Sequence, residues 1–265
     1  MDNKQLHLSL LQFPLVWESP EQNILFFETQ IRALSLSKTK PDIIILPEMW
    51  STGFSMKLKD TAALMGQLSL SFMIQIAKET QMAVVGSTIF KEGAHSFNRL
   101  FFVYPEGHYE CYDKRHTFGM AGESEVYKKG DKHLIVHYKG FRICPLICYD
   151  LRFPIWARNT NAYDVLLYVA NWPAPRIHAW DSLLKARAIE NMSYCIGVNR
   201  VGTDPNGHLY PGHSAVYNPF GDPLCFSDKE ETIPISLDLE RLKKARLDFP
   251  FLEDMDEFTI LIGKD

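Results

Sequence analysis

The stretch Phe141-Arg-Ile-Cys-Pro-Leu-Ile-Cys148-Tyr-Asp-Leu-Arg-Phe-Pro154 lies near the middle of a chain of 265 residues. Its first half is a mostly apolar run that predicts a buried β-strand. The run ends at Cys148, and polar and aromatic residues then follow up to a proline that cannot continue a central strand. A free cysteine is more often a buried, inert thiol than a nucleophile. Whether Cys148 is an inert thiol or a nucleophile has to be inferred from the residues elsewhere in the chain.

The composition indicates a globular chain with a substantial core. Hydrophobic residues make up 46% and charged residues 23% of the 265 residues, which favours one large domain over two small ones. The formal net charge is −4, and the basic residues are scattered along the chain. Surfaces that bind nucleic acid or anionic membranes need clustered positive charge, so we expect neither partner.

The cysteines and the N-terminal sequence predict the cellular compartment of the protein. Five cysteines, at positions 111, 144, 148, 195 and 225, form no CxxC pair and no zinc-finger spacing. This argues against a disulfide framework or a metal site and favours the reducing cytoplasm. The N-terminus lacks the basic start and the cleavage site of a signal peptide, and no apolar run approaches the roughly 20 residues that cross a bilayer. We therefore expect a soluble, cytoplasmic protein without a metal ion.

The order of the predicted elements indicates the fold class. Short apolar runs at 41–46 and 164–170 predict strands buried on both faces, and an amphipathic run at 68–80 predicts a helix. Strands alternate with helices in parts of the chain, and hairpins fill the rest. This mixture predicts an α/β fold, a four-layer α-β-β-α sandwich of two mixed sheets flanked by helices. No repeat or linker stands out, so we predict a single domain over 1–265 with 239–265 as a C-terminal tail.

Three local patterns lead to more specific predictions. The sequence Ser19-Pro-Glu-Gln predicts a helix start, with the serine as N-cap and the glutamine reaching back as in a capping box. Gly86 divides the apolar run 82–90 and predicts an interruption of that strand. Residues 202–212 are rich in turn formers and predict a loop.

Polar residues follow directly on three of the predicted buried strands. Glu48 comes just after the first run, Cys148 ends the strand quoted above, and Asn171 follows the run 164–170. If these strands lie side by side in one sheet, their ends line one rim, where α/β sheets usually place a site. Lys114, at the end of a predicted hairpin, can reach the same rim.

A carboxylate, an ammonium and a thiol at one place have complementary chemical roles. The pKa of a thiol falls beside a cation, and the thiolate is the reactive form. A carboxylate can take the thiol proton and return it to a leaving amine. An ammonium can neutralise the oxyanion that forms when an amide carbonyl is attacked. Together the groups predict amide hydrolysis through Cys148.

The motifs around these residues resemble those of the nitrilase, or carbon–nitrogen hydrolase, superfamily. The similarity runs from about Leu6 to the region of Leu224. The chain has the family's three motifs in the family's order: Leu46-Pro-Glu48, Tyr112-Asp-Lys-Arg-His116 and Cys148-Tyr-Asp-Leu-Arg-Phe-Pro154.

The resemblance implies a role for each matching residue. Glu48 corresponds to the general base, Lys114 to the cation that holds the oxyanion and Cys148 to the nucleophile. The backbone N–H of Tyr149 corresponds to the second donor of the oxyanion hole, and Glu123 matches a second glutamate of the family. The resemblance also implies chemistry without a cofactor and a homodimer. A papain-like pair of the cysteine with a histidine such as His116 is the weaker alternative, and the other four cysteines are expected to be structural.

Further motifs resemble the omega-amidase branch of this superfamily. They are Glu48-Met-Trp-Ser-Thr-Gly-Phe54, Asp113-Lys-Arg-His116, Asn171-Trp-Pro-Ala-Pro-Arg176 and Ala186-Arg-Ala-Ile-Glu-Asn191. The resemblance implies hydrolysis of the terminal amide of 2-oxoglutaramate and 2-oxosuccinamate to the 2-oxo acid and ammonia.

A substrate with a 2-oxo acid end needs a cation at the far end of the pocket. Arg176, Arg115 and Arg152 are candidates, and Arg176 is favoured because it follows a stiff, proline-containing loop. The alternative for each is a structural or interfacial arginine. Aromatic side chains are predicted to form the pocket walls, with core packing as their alternative: Trp50, Phe118 and Trp172.

Two rival interpretations of the sequence remain open. The substrate could be another linear amide, a nitrile or an N-carbamoyl compound. Alternatively, the chain could be a non-catalytic protein that binds a small molecule in a vestigial site, although the presence of all three reactive groups argues against this.

Overall fold

In a computed structural model of the chain, two six-stranded β-sheets form the centre of the molecule. The structure describes residues 5–57 and 61–261, so part of the N-terminal stretch and the end of the predicted tail lie outside it. The strands are β1 (Gln5–Gln12), β2 (Ile43–Ile45), β3 (Ala83–Glu92), β4 (His95–Val103), β5 (Tyr109–Asp113), β6 (Val136–Tyr138), β7 (Phe141–Ile147), β8 (Val165–Ala170), β9 (Tyr194–Asn199), β10 (Val201–Thr203), β11 (Leu209–Pro211), β12 (Ser214–Tyr217), β13 (Pro223–Ser227) and β14 (Glu231–Asp238). The helices are α1 (Pro20–Ser35), α2 (Thr61–Thr80), α3 (Glu123–Val126), α4 (Pro154–Ala157), α5 (Ile177–Asn191) and α6 (Leu239–Asp248).

The two sheets share one pattern of strand directions. The strand order is β14-β1-β2-β3-β4-β5 in the first sheet and β13-β12-β9-β8-β7-β6 in the second. Strands β1, β2 and β3 are parallel, as are β7, β8 and β9. The outer strands of both sheets pair antiparallel. Both sheets are therefore mixed, as the sequence predicts.

Strand β2 illustrates how the layers are held together. Because successive side chains of a strand point to opposite faces, Ile43 and Ile45 join the large core that also contains second-sheet residues such as Leu167. Ile44 points the other way and joins a separate core with Phe27 of α1. Each fully buried side chain of this size contributes about 1.5–3 kcal/mol. Burial on both faces explains the continuous apolar runs and confirms the predicted layers.

The second sheet is covered on its outer face by α5. Trp180 and Leu184 of this helix approach β9 so closely that a Cβ atom at Gly197 would lie within 2.6 Å of both side chains. The glycine therefore allows helix and sheet to pack at short range. The helices on the two outer faces complete the four-layer α-β-β-α sandwich.

The predicted start of α1 is correct in position, but the predicted capping box is wrong. Pro20 is the first helical residue, yet the Ser19 side chain makes no capping hydrogen bond. The buried amide of Asn23 stabilises this end instead: it accepts from the Val16 N–H and donates to the carbonyl oxygens of Val16 and Ser51. The helix start is thus fastened to the segment that follows Glu48.

Gly86 does not interrupt its strand, contrary to the prediction. Strand β3 is continuous through it, and its role is to permit a close approach. A Cβ atom at this position would lie 2.9 Å from Leu46 Cβ and 2.9 Å from Trp50 Cδ1. The turn that carries Glu48 can lie against β3 only because this side chain is absent.

We expect Gly86→Ala to lower the free energy of unfolding by about 1–3 kcal/mol, because the new methyl group overpacks a rigid site. Urea denaturation measures the loss. The matched control is Gly93→Asn, since Gly93 lies in open space at φ 58°, a conformation that asparagine tolerates. Equal stability of wild type and Gly86→Ala would contradict the role given to Gly86.

Candidate active site

The proposed catalytic groups come from both sheets. Glu48 follows β2 and Lys114 follows β5, both in the first sheet, whereas Cys148 follows β7 in the second sheet. The condition considered from the sequence, that the strands before Glu48, Cys148 and Asn171 lie side by side in one sheet, is therefore not met. The site forms where the ends of two facing sheets meet, and only the strands before Cys148 and Asn171 are neighbours.

Lys114 holds two glutamates in a buried ion triplet. Its Nζ donates to Glu48 Oε1 at 2.8 Å and to both carboxylate oxygens of Glu123 at 2.9 Å. None of the three side chains is more than 1% exposed. Burial of this kind is tolerated only when the charges are paired and hydrogen-bonded. Two carboxylates face one ammonium, so the formal charge of the triplet is −1 when both glutamates are ionised.

The titration behaviour of the triplet follows from this geometry. Burial alone would lower the pKa of Lys114, but attraction to Glu123 and Glu48 outweighs it, so the pKa is raised. The pKa of Glu123 is raised by burial and by the neighbouring Glu48 carboxylate, with Lys114 opposing. The lysine therefore remains an ammonium at neutral pH.

Neutral groups complete the coordination of the two glutamates. The Asn98 side-chain amide donates to Glu48 Oε1 at 2.8 Å and to Glu123 Oε1 at 3.1 Å. The backbone N–H of Asn171 donates to Glu48 Oε2 at 2.8 Å. Sequence analysis missed Asn98, although a polar residue inside the apolar run of β4 was a signal that could have identified it.

Cys148 occupies a sharp elbow at the end of β7. Its φ angle is 46°, in the left-handed region that non-glycine residues rarely adopt, and a single 3₁₀ turn follows it. Only 9% of the residue is exposed. The strained turn directs the thiol towards the cavity and leaves the Tyr149 N–H at the start of the turn.

The Cys148 thiol is protonated in the resting protein. Burial raises its pKa well above the usual value, the negative charge of Glu48 raises it further, and Lys114 opposes the shift without reversing it. The cation lowers this pKa as expected, but burial and the Glu48 charge outweigh it in the resting protein. A thiol that faces a carboxylate can still give up its proton during attack, which is general-base catalysis.

Asp150 fixes the elbow from behind. Its carboxylate accepts from the Ile147 N–H at 3.0 Å, from the Tyr112 hydroxyl at 2.8 Å and from the His116 N–H at 2.9 Å. The ring of His116 also bonds Asp150 and stacks on Phe153. His116 is thus engaged with an aspartate and not with Cys148, which leaves the cysteine–histidine pair without geometric support.

A cavity of about 530 Å³ opens in front of Cys148. Phe118, Trp172 and Arg176, which the sequence analysis places in the pocket, line this cavity together with Tyr149. The guanidinium of Arg176 lies 4.9 Å from the Phe118 ring centroid. Arg152, the alternative cation, also lines the cavity and lies 5.1 Å from the centroid of Trp172.

Two other predicted pocket residues lie elsewhere. Trp50 is fully buried in the core, with its ring centroid 5.7 Å from Phe27, so the prediction that it forms a pocket wall is wrong. The physical reason is the space above Gly86, which the indole occupies. Arg115 donates to the Gly130 carbonyl and lies over Trp156, away from the cavity.

A small hairpin that the sequence analysis missed forms part of the cavity wall. Strands β10 and β11 form a separate two-stranded sheet within the stretch predicted as a loop. They are too short to give a periodic signal. Asp204, inside the hairpin, accepts hydrogen bonds from the Tyr210 hydroxyl and the His208 N–H. All three side chains reach the cavity, together with Trp17 from the first sheet's side.

Comparison with known proteins identifies the class to which this site belongs. Residues 7–247 match the family model described as carbon-nitrogen hydrolase. A crystal structure of XC1258 from Xanthomonas campestris, a CN-hydrolase superfamily protein, superimposes with a TM-score of 0.92 at 35% identity, covering 97% of this chain and 99% of that one. The chain belongs to the carbon–nitrogen hydrolase family.

Relatives of known activity indicate to which branch of the family the chain belongs. Omega-amidase YafV of Escherichia coli K12 is 42% identical over 257 residues, which cover 96% of this chain and 98% of the relative. The 2-oxoglutaramate amidase of Bacillus subtilis is 32% identical over 94% of this chain and 96% of the relative. Within the nitrilase superfamily, the chain therefore belongs to the omega-amidase branch, as the sequence motifs indicate.

We expect Lys114→Met to lower the free energy of unfolding by about 3–5 kcal/mol at pH 8, because two buried carboxylates then lack their cation. Their folded-state pKa values rise above the unfolded values, so protonation relieves the repulsion and the loss shrinks as pH falls towards 5. Urea denaturation at both pH values measures this.

The matched control for this prediction is Lys139→Met. Lys139 is half-exposed and pairs with Asp42 at the surface, where ion pairs contribute about 0–1 kcal/mol. A Lys114→Met loss that does not depend on pH would contradict the electrostatic account of the triplet.

Proposed function

We propose that this chain is an omega-amidase. It hydrolyses the terminal amide of 2-oxo dicarboxylic acid monoamides, namely 2-oxoglutaramate and 2-oxosuccinamate, to the 2-oxo acid and ammonia. The observation that carries the proposal is the Cys148 thiol, which faces a carboxylate and an ammonium at a cavity that also contains two arginines. The names of the Escherichia coli and Bacillus subtilis relatives support the choice of substrate.

The first half of the reaction forms a thioester. Glu48 takes the Cys148 proton while the sulfur attacks the amide carbon, and a tetrahedral oxyanion forms. The Lys114 ammonium and the Tyr149 N–H stabilise that oxyanion. The carbon–nitrogen bond then breaks, and the nitrogen leaves as ammonia with the proton that Glu48 returns. The protonated resting thiol fits this order of steps, because Glu48 accepts the proton from Cys148 and then donates the same proton to the leaving nitrogen.

The second half releases the 2-oxo acid. Water enters the position that ammonia has left, and Glu48, with help from Glu123, removes a proton as the water attacks the thioester carbon. The carbon–sulfur bond breaks and the proton returns to Cys148. Glu123 assists through Lys114 and Asn98, which it contacts together with Glu48.

The carboxylate of the substrate is assigned to Arg176, with Arg152 as the alternative. Both cations line the cavity, and each lies over an aromatic ring that restricts its movement. Trp172 and Phe118 then act as walls and as supports for the arginines. A guanidinium suits this role because it can bind a carboxylate through two parallel hydrogen bonds.

We expect Cys148→Ala to abolish ammonia release and Glu48→Gln to abolish acylation, which mass spectrometry detects as a thioester adduct. Cys144→Ala is the matched control, since Cys144 is a buried thiol on β7, the strand that leads to Cys148. Turnover by Cys148→Ala, or undiminished acylation of Glu48→Gln, would refute the mechanism.

We expect Arg176→Met to lower kcat/KM for 2-oxoglutaramate by about 10- to 100-fold through KM, because one charge-assisted contact is lost. Pentanamide, which lacks the 2-oxo acid end, should be unaffected. Arg152→Met is measured in parallel, and a larger loss in that variant would move the carboxylate site to Arg152.

The cavity is larger than a five-carbon amide requires, and this favours a second candidate substrate class. At about 530 Å³ it lies within the range of sites for drug-sized ligands, and several of its walls are aromatic. Larger linear amides, nitriles and N-carbamoyl compounds therefore belong in the same ammonia-release panel as 2-oxoglutaramate and glutamine. A purely ligand-binding role predicts no ammonia from any of them and no alkylation of Cys148 by iodoacetamide at neutral pH.

The remaining features of the proposal concern organisation and setting. We propose one catalytic domain with residues 239–265 as its tail, in a homodimer in the cytoplasm. The tail contributes exposed aromatic side chains, which support a role in self-association. Within the described residues, no helix has the length and apolarity needed to cross a bilayer. Light scattering after size-exclusion chromatography measures the oligomeric state.

A further inference from the structure

The geometry points to Asn98 as a positioning residue that sets the acid–base behaviour of Glu48 and Glu123 without touching the substrate. This inference rests on the proposed role of Glu48 as general base. Asn98 lies on β4, is fully buried and is not among the residues that line the cavity.

Asn98 contacts every member of the ion triplet. Its side-chain Nδ2 donates to one oxygen of Glu48 and to one oxygen of Glu123, and its backbone carbonyl accepts from the Lys114 N–H at 3.0 Å. The two glutamates are otherwise bridged only by Lys114 among the described residues. A single side chain therefore fixes the spacing of both carboxylates and the start of the segment that carries the lysine.

The side-chain oxygen of Asn98 indicates which contacts orient the amide group. Its Oδ1 is buried and accepts no hydrogen bond from any residue that the structure describes. A buried, unpaired carbonyl oxygen is costly, and native structures rarely contain one without a reason. The orientation of the amide is thus fixed by the two hydrogen bonds that Nδ2 donates to the carboxylates, while Oδ1 is left without a donor.

The neutrality of Asn98 has a chemical consequence. A second cation at this position would cancel the excess negative charge and make Glu48 a weaker base for the thiol. A third carboxylate would repel both glutamates and favour their protonated forms. An amide donor instead hydrogen-bonds both carboxylates and leaves the net charge unchanged, so Glu48 remains available to accept the proton of Cys148.

Most charged or titratable groups around Asn98 do not change their charge over the pH range of the experiments below. Burial raises the pKa of Tyr127 and of Tyr210 above the ordinary range, so both phenols stay neutral in the experiments below. Arg99, the next residue of β4, points to the opposite face and pairs with Asp113. The titratable groups that Asn98 contacts in the described residues are Glu48, Glu123 and Lys114, and Cys148 lies beside them.

The test compares the pH dependence of two Asn98 variants. Asn98→Leu keeps the size and removes both donors, so we expect kcat to fall about 10- to 100-fold with KM within about twofold of wild type. The acidic limb of kcat/KM should move up by about one pH unit, since Glu48 loses a hydrogen bond that favours its anion. In Asn98→Asp, activity relative to wild type should rise as pH falls to about 5.5, because the added carboxyl then carries a proton and can donate it to a glutamate.

A second readout does not depend on turnover. The rate of Cys148 alkylation by iodoacetamide should show the same upward shift of its acidic limb in Asn98→Leu. The control is Asn159→Leu, because Asn159 is a buried asparagine that bonds only Asn191 and the Tyr163 backbone. We expect that variant to lose stability and keep the wild-type pH profile.

The outcomes separate this inference from the mechanism it rests on. If both Asn98 variants keep the wild-type pH profiles and lose only stability, as Asn159→Leu does, Asn98 is a structural residue and the inference fails. If Glu48→Gln keeps full activity, the proposed mechanism fails first. Shifted profiles in the Asn98 variants together with an inactive Glu48→Gln support both.

Discussion

The ion triplet of Lys114, Glu48 and Glu123 constrains both the stability and the chemistry of this molecule. Three charged side chains are removed from water, and each carboxylate oxygen that faces the lysine is within 2.9 Å of its ammonium. Such a group is stable only if every partner keeps its position. The surrounding structure is arranged accordingly, with Gly86 making room for the Glu48 turn and Asp150 holding the elbow of Cys148.

Burial, reinforced by the negative charge of Glu48, explains why the proposed nucleophile is present as a thiol. Many reactive cysteines depend on a lowered pKa and are thiolates before substrate arrives. Here burial and Glu48 raise the pKa of Cys148, and the nearby ammonium does not reverse the shift. In the proposed mechanism, deprotonation is thereby coupled to attack, and the same proton becomes available to the leaving nitrogen. A permanently ionised cysteine would leave Glu48 without a proton to return to that nitrogen.

Local sequence patterns identify most strands and helices because each has its own periodicity, as the continuous apolar runs before Glu48 and Asn171 illustrate. The assembly of the two sheets is not encoded in any single window. The condition of one shared sheet is not met because β2 and β7 pair with different neighbours, and pairing depends on contacts between residues far apart in the chain. The family motifs singled out Glu48, Lys114, Glu123 and Cys148, which the fold brings together, without requiring the correct sheet assignment.

Other errors have local causes. Trp50 stands in the motif beside Glu48, but its side chain points to the opposite side of the turn and fills the space above Gly86. Asn98 is absent from the predicted site because its importance lies in two carboxylates that come from other parts of the chain. The sequence contains these residues, yet only their three-dimensional neighbours define what they do.

The strand order has a consequence for the growing chain. The last strand, β14, pairs along the whole length of the first, β1, and so completes the sheet that carries Glu48 and Lys114. Cys148 follows a strand of the other sheet and meets Glu48, its proposed base, only when the two sheets pack on each other. During synthesis the cysteine is therefore an ordinary thiol without a proton acceptor beside it. The active site is therefore assembled at the end of folding, when most of the chain is already in place.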